Sequence, residues 1–221
     1  LTKSIESDYQ EFWLNKKNAR LKKHQEFIAS CDFSDLKVFD KLLESVPDKS
    51  QLQVSNSSVI RYTQLFDINK TLRVFCNRGT SGIDGSTSSA IGAASVVKEN
   101  TVFLTGDISF FYDSNALWND YIPTNFRIII INNEGGGIFR ILPGDKNTEN
   151  FDTFFETKHL LTAQYLSKMY GFSYIAARNE DELDIGLHSF YQNDKKPKIL
   201  EVFTPRTIND SVLLNYFKAI I

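Results

Sequence analysis

Two polar residues follow two successive apolar segments, Asp107 in "TVFLTGDIS" and Asn133 in "RIIIINNEGGGIF". The 25 residues that separate them accommodate one helix and one strand, so both side chains can meet at the ends of neighbouring strands. A carboxylate, an amide oxygen and a backbone carbonyl turned inward at Gly135 are hard oxygen ligands of the kind that Mg²⁺ prefers. The pattern therefore predicts a magnesium site.

A magnesium ion in a protein usually keeps phosphate and water in its coordination shell. We expect Ser109 to open the following helix, where free backbone N–H groups attract phosphate oxygens. The sequence therefore indicates Mg²⁺ together with a diphosphate. Each motif alone is weak, because "GD" after a strand is often a helix cap and "NNEGGG" is often only a flexible turn.

Apolar runs and helical segments alternate after Pro47, and this rhythm must position the two motifs. It predicts an α/β fold, a doubly wound six-stranded parallel sheet with helices on both faces. The predicted strands are 52–55, 72–76, 101–105, 126–132, 173–177 and 198–203. The predicted helices between them are 57–66, 87–98, 113–120, 160–170, 180–192 and 209–219. The run of four isoleucines, 128–131, is typical of a strand that is buried on both faces.

The residues before this rhythm predict a separate region. Segments 5–30 and 34–46 have helical patterns, the second behind a Ser34 cap. We therefore divide the chain into 1–47, the helical tail of a central or linker domain, and 48–221, the diphosphate-binding domain. The basic run at 16–23 is interpreted as a solvated helix face.

Composition excludes several classes of protein. The 221 residues carry 25 basic and 27 acidic side chains, so nothing indicates a nucleic-acid partner. No apolar run approaches the roughly 20 residues that span a bilayer, which predicts no membrane association. Cys31 and Cys76 lack metal-type spacing and are interpreted as reduced thiols of a cytoplasmic protein, although a disulfide between them stays open.

The pair Gly106-Asp107 and Asn132-Asn133 resembles the diphosphate motif of thiamine-diphosphate enzymes. That motif usually reads Gly-Asp-Gly, whereas Ile108 and Ser109 follow the aspartate here. The departure fits one family within the group. The segments "NRGTSGIDG", "GDISFFYDSNAL" and "NNEGGGIFRILP" resemble the 2-succinyl-5-enolpyruvyl-6-hydroxy-3-cyclohexene-1-carboxylate synthases of menaquinone (vitamin K2) biosynthesis, over roughly residues 50 to 205.

This resemblance implies a transferase reaction. The synthase decarboxylates 2-oxoglutarate and adds the resulting succinic-semialdehyde carbanion to isochorismate, with thiamine diphosphate and Mg²⁺ as cofactors and Mn²⁺ as an alternative cation. Such enzymes need a glutamate on a pyrimidine-binding domain, usually from a partner subunit, and nothing in this chain resembles that domain. The resemblance therefore implies a C-terminal portion of a homodimer or homotetramer, inactive by itself and without a catalytic residue of its own.

The resemblance also implies roles for individual residues. The metal ligands are Asp107, Asn133 and the Gly135 carbonyl. The cofactor-binding residues are Gly106, Asp107, Ser109, Ser81, Gly82, Ile83 and Asn133. The substrate-binding residues are Ser57, Arg61, Arg78, Ile138, Phe139 and Leu142. Simpler interpretations stay open: a surface charge for Arg61, ordinary packing for Ile83, and a short amphipathic turn for Ile138, Phe139 and Leu142.

Two other functions compete with this one. The first is another thiamine-diphosphate carboligase or 2-oxoacid decarboxylase, which "SGIDG" and "GDIS" disfavour. The second is a non-catalytic nucleotide- or metal-binding module. A Rossmann dehydrogenase is poorly supported because no GxGxxG follows the first strand. The histidines His24, His159 and His188 lie in no strand-end cluster, and His159 is expected to be structural and partly exposed.

Overall fold

The structure is a computed structural model that describes residues 7–192 and 194–221. Six parallel strands form one sheet in the order β2-β1-β3-β4-β6-β5. They are β1 (Gln51–Val54), β2 (Arg73–Cys76), β3 (Thr101–Gly106), β4 (Phe126–Asn132), β5 (Ser173–Ala177) and β6 (Lys198–Phe203). The predicted strand boundaries lie within one residue of these, so the predicted fold class is confirmed.

Helices cover both faces of this sheet. The α-helices are α1 (Tyr9–Ser30), α2 (Asp35–Ser45), α3 (Ser58–Thr63), α4 (Ser86–Ser95), α5 (Asp107–Tyr112), α6 (Ile138–Ile141), α7 (Gln164–Met169), α8 (Glu180–Phe190) and α9 (Asn209–Ile220). A 3-10 turn (Ser114–Leu117) and a π turn (Phe151–Phe155) complete the described helical elements. Among the described helices, none combines the length and apolar character needed to cross a membrane.

The isoleucine run of β4 explains why helices cover both faces of the sheet. Ile129 and Ile131 pack in a core with α2, α3, α8 and α9, whereas Ile128 and Ile130 pack in a second core with α4 and α5. Successive side chains of a strand point to opposite faces, so a continuous apolar run supplies both cores. Each buried isoleucine contributes roughly 1.5–3 kcal/mol, which makes β4 the rigid centre of the sheet.

The segment before β1 packs partly against this core. Ser34 caps α2 by accepting a hydrogen bond from Lys37 N, as predicted, and α2 buries Leu36, Phe39 and Leu42. The basic run of α1 is exposed, also as predicted. Both cysteines are free, and partial burial raises the pKa of each thiol.

One helix begins earlier than predicted. Of the expected helix 113–120 only a 3-10 turn at Ser114–Leu117 forms, whereas α5 starts at Asp107, directly after β3, and ends at Tyr112. The chain enters the helix without a loop because Gly106 is extended and Asp107 Oδ1 accepts a hydrogen bond from Ile108 N at 2.7 Å. Ser109 is therefore the third residue of the helix and does not open it.

Another helix begins later than predicted. The expected helix 160–170 starts only at Gln164, because the preceding residues are tied to Glu201 of β6. The buried Glu201 carboxylate accepts hydrogen bonds from Thr162 Oγ1 at 2.7 Å and from Ala163 N at 3.0 Å. These contacts keep residues 160–163 outside a helix and fix the end of the long connection from β4.

Candidate active site

A cavity of about 470 Å³ opens at the carboxyl ends of β1, β3 and β4. In the sheet, β1 lies between β2 and β3. The chain therefore goes from β1 to β2 on one side and then to β3 on the other side of β1, so the order of the strands reverses at this point. Open parallel sheets bind ligands at this kind of position. Thirteen of the sequence-predicted site residues line the cavity: Ser57, Arg61, Arg78, Ser81, Ile83, Gly106, Asp107, Ser109, Asn133, Gly135, Ile138, Phe139 and Leu142.

Asp107 lies at the floor of this cavity. β3 and β4 are neighbours, and the pairing of Gly106 with Ile131 brings Asp107 and Asn133 to the same edge of the sheet, as their spacing predicted. The Asp107 carboxylate accepts hydrogen bonds from Ile108 N at 2.7 Å and from Gly135 N at 3.0 Å. Burial raises the pKa of Asp107, and the nearby His159 and the two N–H groups oppose that rise.

Asn133 has one side of its amide satisfied and the other side free. Nδ2 donates to Asp35 Oδ2 at 2.8 Å. Oδ1 is buried and has no hydrogen-bond partner among residues 7–192 and 194–221. A buried polar atom without a partner costs about 1–3 kcal/mol. An unpartnered carbonyl oxygen beside a buried carboxylate is therefore suited to coordinate a cation.

Asp35 is the second carboxylate at the cavity floor, and it comes from the first turn of α2. Its Oδ1 accepts a hydrogen bond from Thr204 Oγ1 at 2.6 Å. Burial raises the pKa of Asp35 to about 6, the charge of Asp107 adds to this, and the hydrogen bonds from Thr204 and Asn133 oppose it. Two buried carboxylates near each other make the site favourable for a positive ion.

The backbone at Gly135 fits a glycine only. Its φ is 152°, and a Cβ placed there would lie 2.6 Å from the carbonyl oxygen of Glu156. Among the described residues, no group of three or more His, Cys, Asp or Glu side chains surrounds a metal position. The predicted set contains one carboxylate and two neutral oxygens, so it would not form such a group. The free Asn133 oxygen beside the buried Asp107 fits a hard divalent cation.

Asn56 holds the loop 77–85 in place beside the cavity. Its Nδ2 donates to the carbonyl oxygens of Asn77 and Gly82, and its Oδ1 accepts from Arg78 Nη1 at 3.3 Å. Gly82, predicted to bind the cofactor, is not among the residues that line the cavity and contacts Asn56 through its carbonyl. The loop is also tied to α5, because the Ser109 hydroxyl donates to Ile83 O at 2.5 Å.

The mouth of the cavity is cationic and one wall is apolar. Arg61 and Arg78 are exposed, and Arg61 Nη1 donates to Ser57 O at 2.7 Å. Across from them the side chains of Ile138, Phe139 and Leu142 line the cavity with Phe155, whose ring meets that of Phe139 edge to face at 5.9 Å. The arrangement suits an anionic ligand with an apolar portion.

Backbone strain is concentrated around this cavity. Five described residues other than glycine have left-handed φ values, and all except Lys49 lie at this cavity: Ser57 at 69°, Ser81 at 60°, Glu134 at 63° and Thr157 at 53°. Three of them line the cavity, and Glu134 lies between Asn133 and Gly135. Such conformations cost on the order of 1–3 kcal/mol each and cluster at binding and catalytic sites. The strain therefore supports a functional role for this edge of the sheet.

Sequence reasoning missed three residues of the site. Asn56 stands in "VSNSS" directly after β1, where its position at a strand end was an available signal. Asp35 had no such signal, since it lies in a helix 98 residues before Asn133. The expectation that the histidines lie apart from the strand ends is wrong for His159. Its Nε2 is 3.3 Å from Asp107 Oδ2, without a well-directed hydrogen bond, and its Nδ1 accepts from Leu161 N.

Comparison with known proteins gives close relatives. The chain is 59% identical over 215 residues to the 2-succinyl-5-enolpyruvyl-6-hydroxy-3-cyclohexene-1-carboxylate synthase of Flavobacterium psychrophilum. This match covers 97% of the chain and 39% of that protein. It is 58% identical over 196 residues to a protein of the same name from Flavobacterium johnsoniae, covering 89% of the chain and 35% of the relative. It is 54% identical over 201 residues to a protein of the same name from Christiangramia forsetii, and this match covers 91% of the chain and 35% of the relative. The chain thus spans less than two fifths of the length of these curated relatives. No protein-family model matches the chain.

Proposed function

Since the chain belongs to the 2-succinyl-5-enolpyruvyl-6-hydroxy-3-cyclohexene-1-carboxylate synthase family, we propose that it is the part that holds the diphosphate of thiamine diphosphate through a divalent cation. In the whole enzyme this site would serve the decarboxylation of 2-oxoglutarate and the addition of the resulting four-carbon unit to isochorismate, in menaquinone biosynthesis. Thiamine diphosphate supplies the nucleophilic carbon and the electron sink for this chemistry.

The observation that carries the proposal is the free Asn133 oxygen beside the buried Asp107 carboxylate. Asn133 Oδ1 is buried without a partner, Asp107 is at the neighbouring strand end, and Gly135 N donates to Asp107 at 3.0 Å. Asp107, Asn133 and the Gly135 carbonyl are the proposed ligands of Mg²⁺, or of Mn²⁺ in its place. A cation would neutralise the buried negative charges of Asp35 and Asp107, which favours its binding here.

Residues around the cation have proposed roles toward the organic part of the cofactor. Gly106 and Ser109 would hold the diphosphate, since they are the N-cap and the third residue of α5 and both line the cavity. Ser81, Gly82 and Ile83 form the loop that Asn56 and Ser109 hold beside it. The Ile83 side chain lines the cavity, where it would support the bent form of the cofactor.

The two arginines are the proposed recognition groups for the substrates. Both 2-oxoglutarate and isochorismate are dianions, and a guanidinium group offers two parallel N–H donors to a carboxylate. Arg61 and Arg78 are exposed at the cavity mouth, and Ser57 O fixes the position of Arg61. Ile138, Phe139 and Leu142 provide an apolar surface for the carbon skeleton.

We also propose that two further parts complete the enzyme. One is a pyrimidine-binding domain that carries the activating glutamate, and the other is the partner subunit, in a homodimer or homotetramer, that supplies that domain. The 221 residues alone are then expected to fold and to bind the cofactor weakly, without releasing CO₂ from 2-oxoglutarate. Turnover by the monomeric chain would require an activating acid within it, with Glu134 as the first candidate.

Calorimetric titration of the chain with thiamine diphosphate in the presence and absence of Mg²⁺ tests the proposal. Binding is expected only with the metal, and Asp107→Ala is expected to weaken it at least tenfold, by analogy with the loss seen when metal-site residues are removed. Asp120→Ala, at an exposed aspartate outside the cavity, is the control and should bind normally. Metal-independent binding, or binding of ATP in preference to thiamine diphosphate, would point to the alternative of a non-catalytic nucleotide module.

A further inference from the structure

We propose that Asp35 is a positioning residue that turns the Asn133 amide so that its oxygen faces the cation. This inference rests on the proposed function, because it concerns how the cation site is held. Asp35 belongs to α2, outside the predicted diphosphate-binding domain 48–221, and its carboxylate lies 2.8 Å from Asn133 Nδ2.

The side chain of an asparagine is asymmetric. One side of the amide donates hydrogen bonds and the other accepts them, so its orientation decides whether it can coordinate a cation. Asp35 Oδ2 accepts from Nδ2, which leaves Oδ1 buried and unpartnered. The reversed amide would place two oxygens, Asn133 Oδ1 and Asp35 Oδ2, against each other without a proton. It would also present an N–H₂ group to the proposed cation.

Asp35 can impose this orientation because it is itself held on three sides. Its Oδ1 accepts from Thr204 Oγ1 at 2.6 Å, and its backbone N donates to Asn209 Oδ1 at 2.8 Å. The Ser34 cap fixes the turn of α2 in which it lies. Thr204 N donates in turn to Asn132 O at 3.0 Å, which joins this group to the end of β4. The acceptor thus stands at a fixed place beside the end of the strand that carries Asn133.

The test measures the metal directly. Mn²⁺ binding in the presence of thiamine diphosphate is followed by electron paramagnetic resonance for the chain and three variants. Asp35→Ala removes the acceptor and is expected to weaken Mn²⁺ binding about 10- to 100-fold. Asp35→Asn is expected to restore most of the affinity, because Thr204 Oγ1 can accept from the new amide and leave its oxygen for Asn133. Thr204→Val keeps the Asp35–Asn133 contact and should bind within about threefold of wild type.

A double variant keeps the test decisive if Asp35→Ala does not fold. In Asp35→Asn/Thr204→Val nothing orients the new amide, so Mn²⁺ affinity should fall at least tenfold below that of either single variant. Equal affinities of the double and single variants, or of a folded Asp35→Ala and wild type, would overturn the inference. A folded Asp35→Asn that binds as poorly as Asp35→Ala would also overturn it, since Asp35 would then act as a charge or a direct ligand. Failure of the wild-type chain to bind Mn²⁺ would instead refute the proposed function.

Discussion

Arg140 donates two hydrogen bonds to the fully buried Glu156 carboxylate, through Nε and Nη2. Arg206 Nη1 donates to the same carboxylate at 2.6 Å. The backbone oxygen of Glu156 accepts from Gly136 N at 2.6 Å, and the Arg140 guanidinium lies 5.6 Å from the centre of the Phe151 ring. This group of contacts joins the connection after β4 to the glycines that border Asn133.

Replacing Glu156 by alanine should loosen the edge of the cavity. The change leaves two guanidinium groups without their buried partner, and breaking a buried ion pair in this way costs about 3–5 kcal/mol. We expect lower stability in urea unfolding, together with faster hydrogen exchange of the backbone amides at 135–137 and 151–156. Asp152→Asn is the control, because this half-exposed carboxylate is 3.6 Å from Arg140 and its loss should cost under about 1 kcal/mol. Equal destabilisation by the two variants would contradict this account of Glu156.

Gly135→Ala should be more damaging than the same change at a matched glycine. Gly135 and Gly144 have similar φ values, 152° and 145°, but only at Gly135 would a Cβ meet another atom, Glu156 O at 2.6 Å. Gly144→Ala therefore measures the backbone strain alone, about 1–3 kcal/mol. Gly135→Ala adds a steric clash with the main chain and should exceed it in urea unfolding. It should also reduce metal-dependent cofactor binding, which Gly144→Ala should leave unchanged.

Arg78→Lys tests the proposed substrate site in the complete enzyme. The charge is kept while the paired geometry of the guanidinium is lost, so the KM for 2-oxoglutarate or isochorismate should rise, by roughly 10-fold for about 1.4 kcal/mol of lost contact. Cofactor binding should be largely unchanged. Arg73→Lys, on the exposed edge strand β2, is the control. Wild-type kinetics with both substrates would assign Arg78 to a structural role in its contact with Asn56.

The stability of the fold should depend on the ionisation of Tyr191 at high pH. Burial raises the pKa of Tyr191 to about 12 in the folded chain, against about 10 for an unperturbed tyrosine. The protonated Tyr191 phenol contributes fully to the free energy of unfolding below pH 10. This contribution is lost as the pH rises toward 12, because the unfolded chain releases the proton at a lower pH than the folded chain does. Tyr191→Phe should therefore lose less stability than wild type over this range.

The same substitution has a cost at neutral pH. Tyr191 and Ser45 are hydrogen-bonded through their hydroxyls at 3.2 Å, and loss of this bond should cost about 1 kcal/mol. Urea unfolding between pH 8 and 11 measures both the cost of the lost hydrogen bond and the pH dependence of the free energy of unfolding. Tyr121→Phe is the control, because the Tyr121 side chain is 79% exposed. Parallel pH dependences of Tyr191→Phe and wild type would rule out the contribution of this phenol.

Local sequence determined the sheet and the strand ends that carry the proposed ligands. The alternation of apolar runs with helical segments placed the six strands within one residue, and the uninterrupted run 128–131 marked the central strand. The interval between Asp107 and Asn133 placed both at one edge, because parallel strands joined by a helix end on the same side. These features depend only on residues that are close along the chain, and they can therefore be predicted from the sequence.

The tertiary structure decided which other groups reach that edge. Asp35 and Thr204 are distant in sequence from Asn133, yet Asp35 accepts from the Asn133 amide and Thr204 donates to Asp35, and no local pattern in α2 indicates these contacts. The late start of α7 has the same kind of cause, since Glu201 of β6 holds residues 162 and 163 out of a helix through hydrogen bonds across the fold. Hydrogen bonds between buried polar groups depend on where separate elements meet in space, and only packing of the complete sheet and its helices determines those meetings.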